Sequence, residues 1–103
     1  MGVYKFVFTI EADQDVKAAQ KYYNDQLPGL GKRFKGEVNL QLQLLRGNPL
    51  TRSVRYGKIR FATLKNFPYS INYSVENNCI IVYAVISDYR NPKEYWMFGK
   101  DND

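Results

Sequence analysis

Residues 64–92 constrain this chain most, because they hold two apolar runs of different pattern on either side of a polar turn. From Tyr69 to Val75 the residues alternate, with Tyr69, Ile71, Tyr73 and Val75 on one side and Ser70, Asn72 and Ser74 on the other. A period of two belongs to a half-buried strand. Glu76, Asn77 and Asn78 read as a turn, since Asn tolerates left-handed backbone angles. Cys79 to Ile86 is apolar on both faces, as in a central strand covered on both sides. The expectation is a β-hairpin at the heart of one sheet. The chain leaves it at Ser87-Asp88-Tyr89-Arg90-Asn91-Pro92, with Arg90 just past the strand end.

Working outward from that hairpin, residues 4–10 are β-branched and aromatic and predict a first strand. Asp13 is the expected N-cap of a helix whose apolar positions are Val16, Ala19, Tyr23 and Leu27, joined by Ala12, and Pro28-Gly29 stops it. A second helix is expected from Leu30 to about Gly47. Its stripe is Leu30, Phe34, Val38, Leu42 and Leu45, widened by Leu40 and Leu44. Residues 50–58 read as loop, and Ile59 to Leu64 as a strand. Lys93 to Phe98 is expected to form a short helix or turn, and residues 1–3 and 99–103 to fray. The order β-α-α-β-β-β predicts one α+β domain over residues 1–103. Its antiparallel-rich, four-stranded sheet carries a helical hairpin on one face.

Composition removes several chemistries. The chain has no histidine and one cysteine, so the commonest general base, the usual nucleophile pairs and most transition-metal sites lack their residues. Cys79 is expected to be a small core residue in a reducing cytoplasm. No phosphate-loop or dinucleotide glycine pattern occurs, so no cofactor and no metal are expected. No apolar run reaches ~20 residues and no signal peptide opens the sequence, so no membrane association is expected. The net charge of +5 favours a polyanion or an acidic protein partner. On the second helix, Lys32, Arg33 and Lys35 are either solvated or turned toward such a partner.

Two groups of residues resemble a known family. Tyr22-Tyr23, Gln26-Leu27-Pro28-Gly29-Leu30-Gly31-Lys32-Arg33-Phe34 and Asn48-Pro49 resemble the helical half of the RelE/ParE toxins. Leu64-Lys65-Asn66-Phe67-Pro68-Tyr69, Ile71, Tyr73, Ala84-Val85-Ile86 and Arg90-Asn91-Pro92 are similar to its sheet half. The resemblance runs from about Ala12 to Trp96. It implies a cytoplasmic bacterial toxin of a type II toxin–antitoxin pair, forming a hetero-oligomer with a cognate antitoxin that lays an extended or helical segment over its surface. RelE-like members cleave messenger RNA on the ribosome, and ParE-like members poison DNA gyrase.

The residues divide between those two activities. Cleavage by the 2′-hydroxyl needs a proton acceptor, a donor for the leaving oxygen and cations for the phosphate. The resemblance gives Arg90 as a catalytic, phosphate-contacting residue and puts Tyr95 or Trp96 in the place of a terminal catalytic tyrosine, while the lack of histidine leaves Lys65, Tyr89 and Tyr95 as the candidates for proton transfer. Arg60, Tyr89 and Trp96 are the candidates for binding nucleic acid or another target, through charge or base stacking. RelE-like ribonucleases carry closely spaced lysines on the strand before the hairpin and an arginine just after the hairpin's first tyrosine. Here that strand offers Arg60, Phe61, Ala62, Thr63 and Lys65, Ser70 stands where the arginine would be, and Ser87 replaces a histidine. A ribosome-dependent endoribonuclease, a non-enzymatic gyrase poison and a relative that only binds its antitoxin all remain open at this point.

Overall fold

Thr9 decides how the first strand becomes the first helix. In the computed structural model, which describes residues 4–89, strand β1 (Lys5–Phe8) runs parallel to the last strand. At its end the Thr9 N–H donates to the Val82 carbonyl at 3.1 Å, and the Thr9 hydroxyl donates to that of Tyr83 at 3.1 Å. The same Oγ1 accepts from the Ala12 amide at 3.0 Å, which makes Thr9 the N-cap of helix α1 (Ile10–Gln26). The strand is therefore shorter than residues 4–10, and the cap is four residues earlier than Asp13. Asp13 lies inside the first turn, paired with Lys17 at 3.0 Å on the surface. Asp15 reaches past the end of β1 and accepts the Val85 amide at 3.1 Å.

Helix α2 (Leu30–Gly47) returns along α1 after a turn at Gly29, whose φ of 92° lies in the left-handed region. At Gly31 the helices come so close that a Cβ would run into the Gln20 carbonyl oxygen. Ala12, Val16 and Ala19 of α1 and Phe34, Val38, Leu42 and Leu45 of α2 close over the sheet as one buried cluster. Leu40 and Leu44, expected to widen that stripe, are each 55% exposed, and Leu27 is 59% exposed at the end of α1. Their helical phase points them away from the seam.

The sheet has five strands in the order β1-β5-β4-β3-β2, so it is mixed rather than four-stranded. The addition falls in residues expected to be loop. A single 3-10 turn (Pro49–Thr51) leads into β2 (Val54–Tyr56), which turns at Gly57 (φ 56°) and pairs antiparallel with β3 (Ile59–Thr63). Three residues flanked by arginine, glycine and lysine show too little alternation to announce a strand. The central hairpin is β4 (Tyr69–Glu76) and β5 (Cys79–Ser87), turned by Asn77 and Asn78 at φ 51° and 63°. Ser70, Asn72 and Ser74, the polar side of the strand expected to be half-buried, are all buried, as are Ala84 and Ile86 beside them. Cys79 is half-buried at the first position of β5, opposite Lys5, rather than in the core. The expected segment Lys93–Phe98 and the expected frayed ends lie outside the described residues.

Two of the glycines of α2 test this packing in opposite directions. Gly31→Ala should lower stability by about 1–3 kcal/mol, because backbone must move to admit the methyl group. Gly36→Ala, in open space within α2, should raise it by about 0.5–1 kcal/mol. Urea denaturation of the two variants beside the wild-type chain measures both.

Candidate functional site

The helices and the β1 edge enclose a groove of about 520 Å³. Its floor is Phe6 and Phe8 from β1, Val16 from α1, and Val38 and Leu42 from α2. Strand periodicity puts Phe6 and Phe8 on the helix side, and the α1–α2 spacing leaves them partly open, with Phe8 39% exposed. Lys17, Lys35 and Arg46 form a basic rim broken by Asp13. Arg46 is fixed in place: its Nε donates to the Tyr4 carbonyl at 3.1 Å and its guanidinium lies 5.0 Å from the Phe6 ring centre. The groove therefore offers apolar pockets beside positive charge, next to the outermost strand of the sheet. Neither Arg46 nor Phe8 stood out in the sequence. The one signal was a basic residue in the last turn of α2, which a helix dipole explains equally well.

The residues expected to carry chemistry do not form one constellation within the described region. Lys65 is exposed in the turn after β3, beside Asn66, whose amide and side chain both donate to the Glu37 carboxylate at 2.6 and 2.8 Å. Tyr89 is 87% exposed just after β5. Both sit at the Tyr69 end of β4, since Leu64 bonds to Tyr69 and Ser87 pairs with it. Arg60 lies opposite Tyr73, four residues and about 13 Å along that strand. There it shares the helix-covered side and donates to the Arg52 carbonyl at 2.6 Å. Arg90, Tyr95 and Trp96 lie outside the described residues.

In the middle of the sheet, the face away from the helices carries the buried, neutral side chains of Ser70, Asn72, Ser74, Ala84 and Ile86. Ser70 is 2% exposed, donates to Asp88 Oδ1 and lies 3.2 Å from the Thr63 hydroxyl. Asn72 donates to the Ser70 carbonyl at 3.2 Å, while its own Oδ1 is buried without a partner. Two tyrosines near the core are poor bases. Burial, helped by Tyr69, Tyr22 and Tyr89, raises the Tyr23 phenol above its ordinary value. Burial also raises Tyr73, against the opposing pull of Arg52 and Arg60, and its hydroxyl is committed to the Pro49 carbonyl at 2.6 Å. Among the described residues no three His, Cys, Asp or Glu side chains gather as a metal site. No helix there is long and apolar enough to cross a membrane.

A family model described as ParE toxin of the type II toxin–antitoxin system, parDE, matches residues 6–92. The chain belongs to the ParE toxin family. Its fold is similar to a solved structure titled the chromosomal ParDE toxin–antitoxin system from P. aeruginosa, with a TM-score of 0.73 and 18% identity. That similarity covers 82% of this chain and 96% of the other. A search of curated proteins gives no significant match. As a ParE-family toxin of a type II system the chain has an antitoxin as its partner.

At the opposite edge, Lys58 in the β2–β3 turn pairs with Glu76 at 3.0 Å, and Ser74 Oγ donates to the same carboxylate at 3.1 Å. The hydrogen bonds from Lys58 and then Ser74 hold Glu76 below its ordinary carboxylate value of 4.5, and Glu76 raises Lys58 above 10.5. A depressed carboxylate stabilises the fold above its unfolded value and loses that contribution as pH falls through the folded one. A raised ammonium behaves in the mirror sense at alkaline pH. The pair is thus formed at neutral pH. The small melting-temperature gap between wild type and Lys58→Met should be present at pH 7 and close as the pH falls below 4.5 and through the lowered Glu76 value.

Proposed function

We propose that this ParE-family toxin acts by binding DNA gyrase and trapping it on cleaved DNA, and that it breaks no bond in RNA itself. The observation that supports this best is the state of Ser70. At the position where a ribonuclease of the wider superfamily places an arginine, this chain has a buried hydroxyl locked between Thr63 and Asp88. Ser70 is 2% exposed, its buried neighbours Asn72, Ser74, Ala84 and Ile86 carry no charge, and the one carboxylate beside it, Asp88, accepts the Ser70 hydroxyl. Of the strand cations, Arg60 is turned to the helix side, and Arg55 stacks on Phe61, which pairs with Asn72 and not with Ser70. An arginine cannot act as a base, and Tyr23 and Tyr73 are both raised away from that role. Binding asks less of the molecule: rigid surfaces of suitable shape and charge.

The antitoxin is proposed to neutralise the toxin through the groove beside β1. An amphipathic segment with apolar side chains toward Phe8, Val16 and Leu42, and acidic ones toward Lys17, Lys35 and Arg46, fits its chemistry. The edge of β1, outermost among the described strands, can take an added strand.

Purified toxin incubated with gyrase, ATP and supercoiled plasmid separates the activities. Linear plasmid recovered after protein denaturation, together with intact message on programmed ribosomes, is the expected result. Codon-phased cleavage of ribosome-bound message without trapped gyrase would overturn the proposal.

A further inference from the structure

We infer that the β2–β3 edge of the sheet is a contact surface for the phosphate backbone of duplex DNA. The inference deepens the gyrase reading and takes its biological setting from it, but its evidence is separate. Residues 52–65 carry Arg52, Arg55, Lys58, Arg60 and Lys65 and no acidic residue, so this short segment holds charge equal to the whole chain's net +5. On α1 Lys17 and Lys21 each have an aspartate one turn away on the same helix, whereas segment 52–65 contains no carboxylate of its own and Lys58 takes its partner, Glu76, from β4.

The geometry distributes these cations around an outermost strand. On the face away from the helices, the Arg55 guanidinium lies 4.0 Å from the Phe61 ring centre, which orients its planar donors. Lys58 projects from the turn with 71% of its side chain exposed, and its surface pair with Glu76 is weak enough to exchange for a phosphate. On the other face Arg52 reaches Gln41 at 3.4 Å and Arg60 braces the Arg52 carbonyl. Lys65 extends the row beyond β3, so the charges from Lys58 to Lys65 span about 20 Å of extended chain, the length of about six phosphates of one strand. Duplex DNA is the polyanion that the gyrase reading brings to this edge; the Phe61 face is covered by Arg55, and single-stranded RNA, which would need Tyr56 as a stacking platform, is the competing outcome of the test. Four strand spacings, about 19 Å, separate this edge from the groove beside β1.

The test is fluorescence anisotropy of the full toxin chain with a labelled 20-base-pair duplex across a salt series, with no gyrase present. Arg55→Gln/Lys58→Gln should weaken binding on every duplex sequence and reduce the slope of log affinity against log salt by close to two. Arg33→Gln/Lys35→Gln on α2, an equal loss of charge, should leave most of the slope in place. Unchanged thermal melts establish that both variants are folded. The inference is overturned if the wild-type chain does not bind duplex, if it binds only single-stranded RNA, or if the two double variants lose affinity equally. A chain that binds duplex through this edge yet leaves gyrase untouched would refute the gyrase proposal and not this one.

Discussion

Four aromatic rings hold this molecule together. Tyr23 of α1, Phe34 of α2, Phe67 of the β3–β4 turn and Tyr69 at the start of β4 pack edge-to-face or stacked, with ring centres 4.8 to 5.9 Å apart. Each ring comes from a different segment, so the cluster fixes helix to helix and both helices to the sheet. Contacts of this kind contribute about 0.5–1.5 kcal/mol each beyond the area they bury. Gly31 lets the helices meet beside Phe34, and Glu37 clamps Asn66 next to Phe67. Thr9 and Asp15 add a connection of another kind, by hydrogen bonds from the start of α1 to β5. A sheet pinned to both helices leaves its edges for function.

Those two edges differ in chemistry because they differ in what backs them. Beside β1 the helices lean over Phe6 and Phe8 without covering them, which gives an apolar floor with a basic rim. At the β2–β3 edge Arg55 stacks on Phe61 and Lys58 stays at the surface, while Arg52 and Arg60 turn to the helix side, where Arg52 reaches Gln41. The middle of the sheet is neutral and filled. On this account the toxin works as a two-edged adaptor: the antitoxin takes one edge, and the other is left to the nucleic acid of the target complex.

Much of this was legible in the residues, and what was missed has physical causes. The β4–β5 hairpin and both helices follow from periodicity, and the paired motifs around Phe34 and Phe67-Pro68-Tyr69 pointed to the family. In the structure those motifs supply the aromatic cluster. The N-cap was misread because Thr9 belongs to a β-branched run and serves as both the last strand residue and the first cap. Strand β2 was hidden because three residues carry no measurable period. The burial of Ser70, Asn72 and Ser74 was not visible because alternation reports polarity, and a serine or asparagine bonded within its own sheet can be polar and dry. Of the candidate site residues, Lys65 and Tyr89 share one end of the sheet, whereas Arg60 faces the helices, which strand parity alone could not assign before the register was known.

Amide hydrogen exchange of the toxin, alone and with its antitoxin, tests the two-edge account most directly. Added protection should fall on Lys5–Phe8 and on the α1 and α2 residues lining the groove, while Val54–Thr63 exchanges as in the free toxin. Protection centred on Val54–Thr63, with the groove unchanged, would contradict it.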